Sequence, residues 1–170
     1  MCHEPEKSDC SAPLQSMNVS IGEIERLPAP EIVRASLAVQ TAGRGMTEIT
    51  RALADFLRQS GAKEGLLTLF IRHTSASLTI QENADPDVQV DLLDALDHLA
   101  PEDFGWRHAS EGPDDMPAHV KAMLSDVSLT VPVAGGRMRL GTWQGIYLVE
   151  HRSRPRRREL LACFIGETQT

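Results

Sequence analysis

The 170-residue sequence predicts one α+β domain with much antiparallel sheet and about three helices. Two kinds of apolar pattern indicate this fold class. Short segments have alternating or continuous apolar residues, as strands do, and three longer segments have helical spacing. Because 41% of the residues are hydrophobic and 24% are charged, the chain of 18.7 kDa is able to bury one core of ordinary size.

Residues 1–30 are expected to form a disordered extension, which leaves 31–170 as the domain. The extension is rich in proline, serine and glutamate and has no sustained period. The two cysteines and the histidine among its first ten residues match no zinc-ligand spacing. The chain has three cysteines in all, an odd number that does not indicate a disulfide framework.

The first half of the domain predicts a strand, a helix and two further strands. Apolar residues alternate from Val33 to Val39, and Gly43-Arg44-Gly45 then turns the chain. A helix ended by Gly61 should follow, because apolar residues recur at i, i+4, i+7 and i+8. These residues are Ile49, Leu53, Phe56 and Leu57. The apolar segments 66–72 and 78–80 are predicted to be strands.

Two more helices are predicted on either side of a polar loop. Asp85-Pro86 is typical of an N-cap and a first helical residue, and Pro101 ends that helix. Asp115 is expected to cap the second helix, which covers 116–124. The apolar face of the first of these helices should contain Val88, Leu92, Leu96 and Leu99.

The C-terminal part is expected to contain four strands. Segments 127–133 and 137–143 flank Ala134-Gly135-Gly136, a good hairpin turn because glycine accepts a positive φ. Segments 145–150 and 159–165 should pair across an arginine-rich loop.

Charge and hydropathy exclude several classes of protein. The net charge of −7 argues against a general nucleic-acid binder. Acidic residues concentrate in 82–115, which has eleven Asp or Glu and one Arg, whereas 116–170 has eight basic and four acidic residues. Without an apolar run of membrane-span length or a secretory h-region, the chain is expected to be cytoplasmic and to have no membrane partner.

The run His73-Thr74-Ser75-Ala76-Ser77, between two apolar strands, is the first candidate site. Its imidazole and three hydroxyls offer donors, acceptors and a potential metal ligand. With His108 and His119 it would supply the three protein ligands of an open metal site, and Glu111 or Asp115 would add oxygen. The spacing alone leaves an alternative open, in which each histidine makes ordinary local hydrogen bonds.

A phosphate site is the second hypothesis. The helix after Asp115 presents free N–H groups at its start, and the hydroxyls of Thr74, Ser75 and Ser77 would add donors. The acidic cap would repel an anion unless a cation bridged them, so metal and phosphate are expected together or not at all. A serine hydrolase is a poor interpretation, because the sequence has no G-x-S-x-G motif.

Two further segments have alternative interpretations. Trp143 and Gln144 lie in Gly141-Thr142-Trp143-Gln144-Gly145, and they either face a site or belong to a bulge with the indole in the core. Residues 152–158 include five arginines, for which a solvated loop is favoured over an RNA- or phosphate-binding segment.

The order of several motifs resembles the YjbQ family, also called the secondary thiamine-phosphate synthase enzyme family. The likeness spans roughly 31–166 with its spacing intact. The motifs are Gly43-Arg44-Gly45-Met46-Thr47-Glu48-Ile49-Thr50, the run 73–77 with Gln81-Glu82-Asn83-Ala84-Asp85-Pro86, Trp106-Arg107-His108 to Glu111-Gly112, Asp115-Met116-Pro117-Ala118-His119, and Leu140-Gly141-Thr142-Trp143-Gln144-Gly145.

This resemblance implies a sandwich-like sheet, a homotrimer and a divalent metal ion (zinc, magnesium or manganese) held by His73, His108 and His119. His151 is left outside that metal set. The resemblance also implies a phosphorylated small-molecule substrate and a weak thiamine-phosphate synthase activity. In that reaction hydroxymethylpyrimidine diphosphate joins thiazole phosphate and pyrophosphate is released.

The predicted site combines the resemblance with the chemistry of the residues. A cation would neutralise the charge on the departing pyrophosphate, and Glu82, Asp114 and Asp115 could recruit it. The predicted catalytic residues are His73, Glu82, His108 and His119. The predicted substrate or phosphate contacts are Thr74, Ser75, Ser77, Asn83, Trp143 and Gln144. The alternative function is a trimeric protein that binds a metal or metabolite without turnover.

Overall fold

A computed structural model describes residues 30–169, so the extension predicted over residues 1–30 lies outside the described residues except for its last position. The described part contains eight strands and three helices. In chain order they are β1 (Glu31–Thr41), β2 (Gly45–Glu48), α1 (Thr50–Gln59), β3 (Ala62–Ile71), β4 (Ala76–Glu82), α2 (Pro86–Leu99), α3 (Asp115–Leu124), β5 (Ser128–Ala134), β6 (Arg137–Met138), β7 (Gln144–Glu150) and β8 (Arg156–Thr168).

The strands form two antiparallel sheets around one core. The larger sheet has the order β1-β8-β3-β5-β6 and the smaller sheet has the order β2-β7-β4. Leu69 and Phe164 from the larger sheet belong to the same buried cluster as Leu148 from the smaller one. This arrangement confirms the predicted α+β domain with its sandwich-like antiparallel sheet.

Strand β8 is central to the larger sheet, because it pairs with β1 on one side and with β3 on the other. Its inward residues Leu160 and Phe164 are fully buried, whereas Leu161 and Ile165 on the outer face are exposed. The β3 and β8 backbones approach closely at Gly166, where a Cβ atom would lie 2.1 Å from a β3 carbonyl oxygen. Only glycine permits this approach without a shift of the backbone.

Several strand boundaries differ from the predictions. Strand β8 includes three arginines of the predicted arginine-rich loop, and β2 was not predicted because four residues are too few to show a period. The predicted pairing of segments 145–150 and 159–165 was wrong, because β7 lies between β2 and β4 in the smaller sheet and β8 lies between β1 and β3 in the larger one. Strand β6 has two residues where a strand over 137–143 was predicted. That strand stops early because a turn follows, in which the Gly141 N–H donates to Gln144 Oε1 at 2.8 Å.

Helices α1 and α2 largely follow their predicted patterns. Leu53 and Leu57 of α1 are fully buried against the sheets. At the start of α2 the Asp85 carboxylate accepts the N–H of Asp87 at 2.9 Å, as an N-cap should. Leu99 was predicted to lie on the buried face but is 67% exposed, so the last turn of α2 adds little to the core. Within residues 30–169 no helix is long and apolar enough to span a membrane.

Helix α3 begins one residue earlier than predicted. Asp114 occupies the N-cap position, and Asp115 is the first residue of the helix instead of its cap. Asp115 and His119 are therefore four residues apart within one helix, a spacing that places both side chains on the same face.

Candidate functional site

The structure brings His108, Asp115 and His119 together at the start of α3. One ligand atom from each residue lies within 4.8 Å of the others. His108 Nε2 is 2.8 Å from Asp115 Oδ2, and His119 Nε2 is 3.6 Å from the same oxygen. Helix α3 supplies two of the three groups, and the loop that follows α2 supplies His108.

The tautomer of His119 follows from its contact with Thr74. His119 Nδ1 lies 3.0 Å from the backbone oxygen of Thr74. Because a carbonyl oxygen only accepts hydrogen bonds, Nδ1 must carry the hydrogen. In the neutral ring this leaves a lone pair on Nε2, the atom that faces Asp115. A backbone carbonyl on one nitrogen is a common way to orient a metal-binding histidine.

Asp115 is held in place by Arg152. Its side chain is 3% exposed, and its second oxygen accepts a hydrogen bond from the Arg152 guanidinium. The same guanidinium donates to the backbone oxygen of Glu111 at 2.8 Å and to Asp114 Oδ2 at 3.1 Å. Arg152 thus connects the end of β7 to both the helix and the loop that carry the cluster.

Asp114 is ionised by these contacts. Burial by itself would raise the pKa of Asp114, but hydrogen bonds from Ser153 and Arg152 outweigh that effect and lower the pKa to about 2. Asp114 Oδ2 is therefore occupied by contacts with Arg152 and Ser153.

His73 lies beside the cluster and is not a member of it. It lines a cavity of about 230 Å³ together with Thr74, His119 and three apolar residues of α3 and the segment that follows it. His73 Nε2 accepts the backbone N–H of Glu159 at 2.9 Å. Burial and the nearby charge of Arg158 lower its pKa, which favours the neutral ring. The three predicted histidines therefore divide into two cluster members and one neighbour.

Ser77 is fully buried, and its hydroxyl lies 2.9 Å from Nε2 of the equally inaccessible His151. Strand β4 is buried on both faces at this point, so the Ser77 hydroxyl, a predicted substrate contact, is directed into the protein in this structure. Ser75 is more accessible, and its hydroxyl accepts a hydrogen bond from Arg158 Nη2 at 3.0 Å. Thr74 is exposed, as a substrate contact should be.

Two of the five arginines in 152–158 contradict the predicted solvated loop. Arg152 is 7% exposed and Arg158 is 6% exposed, and both are paired with carboxylates. The pattern of charges along the sequence could not show this, because the acidic partners lie far away along the chain or on the preceding strand.

Glu150 is the carboxylate that organises this region. It is 0% exposed. It accepts hydrogen bonds from the Thr41 hydroxyl at 3.0 Å, from the backbone N–H of Arg152 at 2.9 Å and from Arg158 Nη2 at 2.6 Å. Burial alone would raise the pKa of Glu150, but these donors, Arg158 above all, lower it. Neither Glu150 nor its role is predicted by the sequence, because its partners Thr41 and Arg158 meet it only in the folded chain.

The remaining predicted residues lie elsewhere. Glu82 and Asn83 are at the C-terminal end of β4, where Glu82 pairs with Gln144 and the Asn83 N–H donates to the Trp143 carbonyl at 2.9 Å. The histidine run adjoins the other end of this strand, roughly 20 Å away at 3.3 Å per residue. Trp143 is 65% exposed, which excludes its alternative place in the core. One chain therefore presents two separate groups where a single site was predicted.

Comparison with known proteins identifies the family. A family model described as "UPF0047 protein YjbQ-like" matches residues 35–167. The chain belongs to the YjbQ (UPF0047) family. The UPF0047 protein sll1880 of Synechocystis is 48% identical over 132 residues, which are 77% of this chain and 90% of that protein. YjbQ of Salmonella typhimurium is 45% identical over 125 residues, which are 73% of this chain and 91% of that protein.

Solved structures agree with this membership. The conserved hypothetical protein TT1486 of Thermus thermophilus is 41% identical and has a TM-score of 0.67, over 75% of this chain and 97% of that one. A YbjQ-like protein of unknown function from Sulfolobus solfataricus has a TM-score of 0.76 over 81% of this chain and 99% of that one. Its identity of 24% supports the shared fold alone.

The buried imidazole of His151 predicts that acid destabilises the YjbQ domain. Burial, with the nearby charge of Lys121, lowers the pKa of His151 from 6.5 to about 4. Between those two pH values the unfolded chain binds a proton that the folded chain does not. The free energy of unfolding should therefore fall as the pH decreases through this interval, by about 3 kcal/mol from this residue.

His151→Gln tests this assignment, because the amide can still bond Ser77 but does not titrate. Urea denaturation from about pH 7 to about pH 4 should show a smaller loss of stability in the variant than in the native protein. Equal losses in the two proteins would contradict the assignment.

Proposed function

We propose that this YjbQ-family protein is a metal-dependent pocket enzyme with weak thiamine-phosphate synthase activity. The observation that supports this most directly is the cluster of His108, Asp115 and His119, which lies beside the exposed residue Thr74. The named activity comes from the motif resemblance. The substrates of that activity are phosphorylated small molecules. A site that binds them needs a cation and hydrogen-bond donors close together.

The donor set suits a divalent metal ion. Two imidazoles and one carboxylate are a ligand combination of catalytic zinc sites that keep one position open. The lone pair on His119 Nε2 can bind a metal ion, and the ion pair with Arg152 keeps the Asp115 carboxylate in place. Both features are typical of metal-binding histidines and carboxylates. Imidazole ligands favour zinc over magnesium, which prefers oxygen. In this proposal Asp115 replaces His73 as the third ligand.

The other residues bind the substrate. A bound metal ion would neutralise the charge that develops on the departing pyrophosphate. The Thr74 hydroxyl and the Arg72 guanidinium, both exposed, would hold phosphate oxygens. Ser75 would donate its hydroxyl hydrogen, because its oxygen already accepts from Arg158. His73 would donate from Nδ1, because its Nε2 accepts the Glu159 N–H.

We also propose that the protein is a homotrimer that associates through the outer face of the larger sheet. Five large apolar residues are exposed on that face, although solvated sheet faces usually carry polar residues. The strand pairing places Ile165 beside Ile32 and Leu66, and Leu161 beside Phe70. The number of subunits comes from the family resemblance.

Zinc binding tests the proposed cluster. Titration of zinc into chelator-treated native protein, followed by calorimetry, should show one site per chain. His119→Asn and His108→Asn should each weaken that binding by at least about tenfold, because each variant removes a ligand. His98→Asn, at an exposed histidine of α2, is the matched control and should bind like the native protein. Absence of zinc binding by the native protein would refute the metal proposal.

Growth rescue tests the enzymatic activity. Expression of the native chain should restore growth of a thiamine auxotroph that lacks its own thiamine-phosphate synthase. His73→Ala, His108→Ala and His119→Ala should abolish rescue at equal protein levels, whereas His98→Ala should retain it. Rescue by all three site variants would contradict their catalytic assignment. Zinc binding without any rescue by the native chain would support the alternative of a binding protein without turnover.

Sedimentation tests the trimer. The native protein should have three times the chain mass of 18.7 kDa. Phe70→Asp with Leu161→Asp places charge in the apolar face and should reduce the mass to that of one chain. Val90→Asp, at an apolar residue of α2 that is 53% exposed, is the control and should leave the mass unchanged. A native monomer would overturn the proposal.

A further inference from the structure

Arg158, the third residue of β8, contacts Ser75 in the segment that precedes β4. Arg158 Nη2 donates to the backbone oxygen of Ser75 at 3.2 Å and to its hydroxyl at 3.0 Å. The two contacts hold the carbonyl and the hydroxyl of Ser75, and so fix the position of this residue relative to β8. Glu150 in turn binds the guanidinium at Nε and Nη2, at 2.7 and 2.6 Å, so Arg158 has little freedom to move away.

Thr74, the residue before Ser75, makes the contact that fixes the tautomer of His119. The Thr74 carbonyl accepts the hydrogen of His119 Nδ1 at 3.0 Å. Its direction depends on the peptide that joins Thr74 to Ser75, and Arg158 holds Ser75, the residue at the C-terminal end of that peptide. The next residue of β8 holds the same segment from its other end, because the Glu159 N–H donates to His73 Nε2 at 2.9 Å.

We propose that Arg158, held by Glu150, is a positioning residue that keeps His119 in the tautomer with hydrogen on Nδ1 and a lone pair on Nε2. We also expect Arg158 to strengthen metal binding, and this second effect rests on the proposed metal cluster. The tautomer itself can be measured in the metal-free protein. Arg158 acts through Ser75 and Thr74 and touches neither the metal position nor the substrate.

Two variants separate this role from a contribution to folding. Arg158→Lys keeps the charge beside Glu150 but loses the planar guanidinium that reaches Ser75 and both Glu150 oxygens at the same time. In the double variant Glu150→Gln with Arg158→Met, the amide oxygen can still accept the Arg152 N–H and the amide NH2 can donate to the Thr41 hydroxyl oxygen, so no buried charge is left unpaired. Arg157→Lys is the matched control, because Arg157 is the adjacent arginine and its side chain is 56% exposed.

The measurement is a long-range proton–nitrogen correlation spectrum of the metal-free protein at about pH 8, where histidine is ordinarily neutral. Native protein and Arg157→Lys should show His119 with hydrogen on Nδ1 alone. Both Arg158 variants should show a mixture of the two tautomers while thermal unfolding remains cooperative. Zinc affinity should fall roughly 10- to 100-fold in both variants.

The tautomer decides the outcome. If both variants retain His119 with hydrogen on Nδ1 alone, the positioning role of Arg158 is overturned. If the native protein binds no zinc, the proposed metal function fails, but a tautomer mixture confined to the Arg158 variants still supports the positioning role. The failures of the two proposals are therefore distinguishable.

Discussion

Burying the carboxylate of Glu150 obliges the chain to surround it with donors, and those donors shape the candidate site. They come from three places: the end of β1, the second residue after the end of β7 and the start of β8. Breaking a buried ion pair by removing one partner costs roughly 3–5 kcal/mol, so this arrangement resists local opening. Each arginine has a second task. Arg152 restrains Asp115, and Arg158 restrains Ser75.

The same interaction connects the two sheets. Glu150 ends a strand of the smaller sheet, whereas Arg158 lies in β8 of the larger sheet. Their ion pair therefore closes the core at the end where the histidine run leaves β3. Because the site is built at this junction, the register of β8 against β3 and the conformation of residues 73–75 depend on each other. A conformational change at the site would have to strain the most buried polar contacts of the fold.

The candidate site combines two accessible imidazoles with one buried carboxylate. The side chain of His108 is 45% exposed and that of His119 is 34% exposed, while the Asp115 between them is 3% exposed. A small molecule can therefore reach the imidazoles, while Arg152 holds the carboxylate between them. Preorganisation of this kind is what a metal or phosphate site requires, because it avoids the cost of ordering the ligands when the ion binds.

The sequence by itself determined the family, the α+β class and the core face of α1, because periodicity and motif order are local properties of the chain. It also predicted His108 and His119, which the structure places side by side, as members of one site. It also contained the i, i+4 pair of Asp115 and His119, which was missed because Asp115 was assigned to the cap. Only the tertiary structure decided that Glu150, Arg152 and Arg158 are buried, since their partners come together only when the sheets assemble. It also separated Trp143 and Gln144 from the histidines, because a strand of seven residues holds its two ends apart.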